Sequence, residues 1–335
     1  MADDRPRRGA RSQPRSESGA KLTSLPDASQ RLRVRAAWLY FVEGRTQSEI
    51  ATILDVGRVT VVRLLADARK RREVRIQIEA PLAELIGVER ALETRYGVER
   101  AIVAPHTASE GDPTQVIAAA AGAFISEMMR PGIQVGVGWG RTLYSSLPFT
   151  VGATLQDVRV VSLLGGIAEA RRFNPAEFAW RFTELFQGEG FLVPAPALVD
   201  SPETRAALFE RCGIAEVFAQ VDGLDMVLFS AGGISTLNTA YRTGHVSEEE
   251  RQSLIKAGAV GDILYNFVDV QGQVVDHPLN RRTVSADLGR LAKVPSRVLI
   301  SGGADKIAVL KAALSSLRPT TFITDEVTAN ALAAD

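Results

Sequence analysis

The chain has 335 residues and a single cysteine, Cys212. One thiol excludes an internal disulfide framework and any cysteine-based metal cluster, as expected of a reducing compartment such as the cytoplasm. No apolar stretch reaches the roughly 18 uninterrupted residues of a membrane-spanning helix. The N-terminus is rich in Arg and Ser without an apolar core, so it does not read as a secretory signal. The three histidines, His106, His245 and His277, all lie outside the glycine-rich turns. Neither a metal-ligand cluster nor a G-x-S-x-G elbow appears. Aromatic residues make up 6%, too few for a platform that stacks single-stranded nucleic acid.

What remains is a chain that is 46% hydrophobic and long enough for two or three domains. Its formal net charge of zero hides an asymmetry. Residues 1–80 carry 17 Lys+Arg against 10 Asp+Glu, a net of +7, and the other 255 residues carry −7. A basic head on an acidic body is the layout expected if only the head meets a polyanion.

Residues 1–28 combine Arg, Ser, Pro, Asp and Gly with almost no large apolar side chains, the composition of a disordered basic arm. From Arg31 to about Arg72 the period is helical. VRIQI (74–78) alternates like a strand, and Pro81 opens a helix expected to reach about Tyr96. Beyond it, apolar runs at 100–105, 132–138, 158–166, 191–196, 225–233, 263–270, 297–303 and 320–324 alternate with helix-like stretches such as 113–129 and 304–317. Near-continuous apolar strands between helices predict a doubly wound, Rossmann-like parallel sheet covered on both faces.

The most specific signal is TQSEIATILDVGRVTVVRLL (46–65), which reads as a helix-turn-helix. Thr46 and Glu49 form a capping box, and Ile50, Ala51 and Leu54 line one face of the helix it starts. Asp55 and Val56 make the turn. Asp55 stands where glycine is usual, and Asp tolerates the left-handed backbone better than most residues. Gly57 is a weaker N-cap than serine for the second helix, which buries Val61, Leu64 and Leu65. Its exposed face offers Arg58, Val59, Thr60, Val62 and Arg63 to a major groove. Gln47 and Thr60 suit phosphate oxygens, which fix register rather than read bases. The upstream helix 31–44 supplies a third helix, with Trp38, Leu39 and Val42 expected in the core.

In the body, glycine-rich turns end several apolar runs, at 136–142, 164–166, 230–233 and 301–303. In such sheets ligands bind at the carboxyl ends of strands, where glycine lets backbone N–H groups approach an anion. GVGWGRT (136–142) is not a dinucleotide fingerprint, because its third glycine follows the second by two residues rather than three. Asp262, Asp269 and Lys306 are acid–base candidates. Each also reads more simply, as a turn cap, a hairpin residue beside Gly272 and a solvated first-turn lysine.

The helix-turn-helix followed by GVGWGRT (136–142), LLGG (163–166), NP (174–175), GAVGDI (258–263), FVDVQG (267–272), SGGADK (301–306) and ITDEVTA (323–329) resembles the SorC family of bacterial transcriptional regulators over roughly residues 30–335. That resemblance implies a helix-turn-helix or winged-helix-type DNA-binding domain on an effector domain related to sugar-phosphate isomerases and deaminases. It implies a homotetramer, a dimer of dimers, whose affinity for double-stranded operator DNA is set by a sugar, polyol or sugar phosphate. No cofactor or metal is implied. The expected division is arm 1–28, DNA-binding domain 29–79 and effector and oligomerisation domain 80–335. Gln47, Gly57, Arg58, Val59, Thr60, Val62 and Arg63 would meet DNA. Within the pocket, Gly138, Trp139, Gly140, Arg141 and Thr142 would hold the phosphate or sugar end, lined by Gly165, Gly166, Asn174, Gly232 and Gly233. Asp262, Asp269 and Lys306 would bond hydroxyls or phosphate. The alternative is an isomerase- or deaminase-like enzyme carrying a DNA-binding head, since fold does not fix function.

Overall fold

The computed structural model describes residues 28–71, 73–74, 83–105, 111–167, 174–242 and 244–334. The expected basic arm, the VRIQI strand, the start at Pro81 and His106 lie outside the described residues, apart from Ala28 and Val74 at the edges. The chain divides into two compact units between residues 78 and 79.

Among the described residues, the first unit packs three helices, α1 (Ala28–Phe41), α2 (Gln47–Leu54) and α3 (Arg58–Lys70). Thr46 and Glu49 cap α2 reciprocally: the Glu49 N–H donates to Thr46 Oγ1 at 3.3 Å, and the Thr46 N–H donates to Glu49 Oε2 at 2.7 Å. Asp55 ends α2 in the left-handed region, at φ 50° and ψ 50°. Gly57 precedes α3 with an extended backbone and gives it no side-chain cap. The core joins Ile50, Val61, Leu64, Leu65 and Ala68 to Ala36, Ala37 and Leu39.

Two of the three residues expected in the core of the first helix face solvent instead, Trp38 at 57% exposure and Val42, one residue past the end of α1, at 61%. The inward face of α1 carries small Ala36 and Ala37, which leave no room for an indole where the helix meets α3. Arg33 shares that face because Glu73 neutralises it, accepting from Nε at 2.9 Å and from Nη2 at 2.6 Å.

Among the described residues, the second unit begins with α4 (Ala83–Tyr96) and holds ten strands, β1 (Arg100–Ala104), β2 (Gln134–Val137), β3 (Arg159–Ser162), β4 (Glu189–Phe191), β5 (Met226–Phe229), β6 (Ala231–Gly233), β7 (Gly261–Ile263), β8 (Asn266–Val268), β9 (Ser296–Ile300) and β10 (Thr321–Asp325). Seven form a wholly parallel sheet in the order β1-β10-β9-β5-β2-β3-β4. Successive side chains feed two separate cores. Val161, Val227, Leu299 and Phe322 enter one, while Val160, Leu228, Val298 and Ile323 enter the other. A sheet buried on both faces needs apolar residues at every position, which explains the unbroken apolar runs. From β2 the chain steps outward to β3 and β4, then returns to β5 on the other side of β2. The strand order therefore reverses between β2 and β5.

Three apolar runs differ from expectation. The run 191–196 is strand only at its first residue, and Gly166 bridges to Pro196 beyond it. The run 225–233 splits into β5 of the large sheet and β6, so Gly232 and Gly233 are strand rather than turn residues. The run 263–270 folds back on itself, and β6, β7 and β8 form a separate antiparallel sheet. Its turn residues, Leu264 and Tyr265, have φ of 53° and 62°. This is a two-residue hairpin turn without glycine, and neither residue type announces it.

Candidate functional site

A cavity of about 460 Å³ opens at the carboxyl ends of β2, β5, β9 and β10, across the point where the strand order reverses. Doubly wound sheets place ligands in such a crevice. The segment after β2 supplies Trp139, Gly140, Arg141 and Thr142, the last two being the first residues of α6 (Arg141–Ser146). Gly140 has φ 132° and ψ 162°, a backbone essentially restricted to glycine, and it turns the chain from strand into helix. The segment after β9 contributes Gly302 to Lys306, and the small sheet contributes Gly232, Gly233 and Asp262.

Charge is concentrated in this cavity. Arg141 pairs with Asp112 at 2.8 Å, and Asp112 in turn accepts from the Thr114 N–H at 3.1 Å and from Thr114 Oγ1 at 2.6 Å. Burial pushes the Asp112 carboxyl up, but the Thr114 hydrogen bonds and the cations Arg141 and Lys306 outweigh it, leaving the group below its ordinary range. Lys306 is half-buried. Desolvation lowers its ammonium below the usual lysine range, against the pull of Asp305, Asp112 and Asp262.

Asp262 is almost fully buried, at 4% exposure. Asn238 Nδ2 donates to its Oδ1 at 2.8 Å, and the Tyr265 N–H donates to its Oδ2 at 3.1 Å. Burial raises this carboxyl to about 6, even though both hydrogen bonds and Lys306 favour its ionised form. Gly232 makes the pair fit, since a Cβ there would collide with Asp262 Oδ1 and Asn238 Nδ2. Trp139 stacks on Tyr265, ring centroids 4.8 Å apart at 21°, which ties the β2 segment to the hairpin that carries Asp262. Such a site offers carboxylates as hydroxyl acceptors, cations for an anionic group, and an apolar wall in Trp139 and Leu237.

Of the sequence-derived pocket residues, Trp139, Gly140, Arg141, Thr142, Gly232, Gly233, Asp262 and Lys306 line this one cavity. The others are placed elsewhere. Gly138 spends its N–H on Leu228 O at 2.8 Å, joining β2 to β5. The N–H groups of Gly165 and Gly166 donate to Val284 O and Ala195 O at 2.9 and 2.8 Å, so neither aims at the cavity. Asn174 caps α7 (Pro175–Phe186) through the Ala176 N–H. Asp269 closes the hairpin turn that was its simpler reading, accepting from the N–H groups of Gln271 and Gln273, each at 2.9 Å. Sequence reading missed Asp112, Asn238, Arg242 and Asp325, all of which line the cavity. Asp325 sits in ITDEVTA, and Asp112-Pro113-Thr114 is a helix-start pattern; Asn238 and Arg242 carry no local signal. Among the described residues, no three His, Cys, Asp or Glu side chains are grouped to hold a metal ion.

In the first unit, Arg58, Val59, Val62 and Arg63 of α3 are exposed, while Thr60 and Gln47 are half-buried. Gly57 is exposed at the start of α3. These residues share the surface around the α2–α3 turn, with Arg69, Lys70 and Arg71 at the far end of α3. Arg and Val on one exposed helix face are the residue types that reach guanine edges and thymine methyls.

Residues 80–334 match the protein family described as "Putative sugar-binding domain". The chain is 31% identical over 310 residues to the erythritol catabolism regulatory protein EryD of Brucella abortus, covering 92% of this chain and 98% of that protein. It is 30% identical over 308 residues to the deoxyribonucleoside regulator of Bacillus subtilis, covering 91% and 98%. Among solved structures, the full-length sorbitol operon regulator SorC from Klebsiella pneumoniae superposes with a TM-score of 0.68 at 26% identity, covering 90% of this chain and 98% of that one.

Proposed function

This chain belongs to the SorC family of sugar-responsive transcriptional regulators, and from that membership we propose that it binds operator DNA through the α2–α3 helix-turn-helix and is switched by a polyhydroxylated effector in the β2–β5 cavity. It is a regulator of transcription controlled by a small molecule. The observation that carries the choice of effector is one cavity holding both the Arg141 and Lys306 cations and the buried Asp262–Asn238 pair. The cations suit a phosphate, and the carboxylate accepts from adjacent hydroxyls. A sugar, polyol or sugar phosphate has both kinds of group at the right scale, since cavities of this volume hold molecules of that size.

The erythritol and sorbitol regulators are named for polyols, which supports a short polyhydroxylated chain here. Binding without turnover is the proposed role of the site. The effector acts by preferring one of two arrangements of a homotetramer on DNA, because a ligand with equal affinity for both would shift nothing. The protein works in the cytoplasm, where operator and effector meet.

Thermal-shift screening of the purified chain against tetritols, pentoses, hexitols and their phosphate esters tests this reading. A ligand at 100 times its Kd stabilises the native state by about 2.7 kcal/mol. The same ligand must change the shift of operator DNA in a gel. Steady conversion of any screened compound would overturn the non-enzymatic reading, and an inert panel would remove the effector class.

A further inference from the structure

The outward face of α1 is apolar where a solvated helix is normally polar. Val34 and Trp38 of α1 and Val42, one residue past its end with its N–H still donated to Trp38 O at 2.9 Å, recur every fourth residue and are 44%, 57% and 61% exposed. Residues four apart lie on one helix face, so the three side chains form a single stripe. A tryptophan more than half exposed within such a stripe is a feature of interaction surfaces rather than of scattered surface hydrophobics.

The stripe is also symmetric about its centre. Valine stands four residues before Trp38 and four residues after it. A copy of α1 laid antiparallel across the first, with the two-fold axis at Trp38, therefore sets Trp38 against Trp38 and Val34 against Val42. Both ends of the contact become apolar on apolar. An isologous contact requires this self-complementarity, and a chance partner does not.

We propose that α1 is a docking surface for α1 of a second copy of this chain, packed antiparallel about a two-fold axis through Trp38. The contact is small, so, resting on the homo-oligomer of the proposed function, it pairs two first units which that assembly holds near one another rather than creating the oligomer. It thereby fixes the separation of the two α3 helices, which sets the spacing of operator half-sites.

Site-directed cross-linking of the full chain tests the geometry. In a Cys212→Ser background, Trp38→Cys should form an intermolecular disulfide rapidly under mild oxidation, because positions on the axis bring their Cα atoms within reach of one another. Val34→Cys and Val42→Cys, each alone, should cross-link poorly, because eight residues of helix separate position 34 from position 42 by about 12 Å. Mixing those two variants should produce the disulfide between them. Val151→Cys, at an exposed position of the second unit, serves as the collision control. The proposal is overturned if Trp38→Cys reacts no faster than the Val151→Cys control. It is equally overturned if Val34→Cys and Val42→Cys cross-link with themselves as readily as with each other, which is the signature of parallel packing.

Discussion

Asn238 holds Asp262 with one nitrogen, donating from Nδ2 to Oδ1 of the carboxylate at 2.8 Å and from the same atom to Gly233 O at 2.6 Å. The Asn238 Oδ1 accepts from the Ala240 N–H at 2.8 Å, so the amide is fixed at both ends. A carboxylate so placed keeps a constant position in the cavity while its second oxygen takes the Tyr265 N–H.

Asp262 makes stability depend on pH, and effector binding should follow pH as well if its carboxylate contacts the effector. Its ordinary value is 3.8, and burial raises it to about 6 in the folded chain. The folded state therefore binds this proton more tightly than the unfolded state does. The stability it contributes is full below pH 4 and is lost as pH rises through about 6. Asp262→Asn should remove that slope, read from urea midpoints between pH 4 and 8, while setting its new amide NH2 against one of the two donors, Asn238 Nδ2 or the Tyr265 N–H, that the carboxylate now accepts from. An effector hydroxyl that donates to the carboxylate needs the ionised form, so its affinity should rise with pH through about 6. A pH-independent Kd in the wild type would remove Asp262 from effector contact.

Thr142 and Lys306 line the cavity from opposite segments, after β2 and after β9. Thr142→Val preserves shape at a buried position, and Lys306→Met keeps the aliphatic stem while deleting the charge. Each should weaken effector binding at least about tenfold, the loss of a hydrogen bond or ion contact, with operator affinity unchanged in the absence of effector. Titrations in which either variant matches wild type would take that residue out of the site.

Arg58 and Arg63 are exposed on α3, so alanine there should alter stability by less than about 0.5 kcal/mol. If α3 reads the operator, the double variant should lose specific binding at least about 100-fold in gel shifts, while its effector-induced thermal shift persists. Retained specificity would move the reading surface elsewhere.

Asp55 holds a left-handed backbone at the end of α2. Glycine takes that conformation without a Cβ penalty, so Asp55→Gly should stabilise the protein by about 0.5–1 kcal/mol in equilibrium unfolding. A neutral or destabilising result would mean that the aspartate earns its place through a contact of its own.

The features legible in the sequence were those whose cause is local. Thr46 and Glu49 are three residues apart, and their reciprocal cap needs nothing else in the molecule. The left-handed Asp55, the apolar strands and the glycine at position 140 follow equally from near neighbours. Periodicity failed on α1, because a helix can present its large apolar residues outward when small alanines and a neutralised arginine fill the inward face. It failed again at Leu264 and Tyr265, where packing on both sides imposes a turn that neither residue prefers.

By itself the sequence determined the alternation of strands and helices, the capped helix pair and the glycine at the turn into α6, each set by chemistry within a few residues. Tertiary structure alone decided which polar groups meet. Asp112, Arg141, Asn238, Asp262 and Lys306 span almost 200 positions, and only the reversal of strand order between β2 and β5 brings them around one cavity. It also separated Gly165, Gly166, Asn174 and Asp269 from that cavity, because their hydrogen bonds are spent on neighbouring backbone. A motif fixes which groups are available; the path of the chain fixes which remain free to face a ligand.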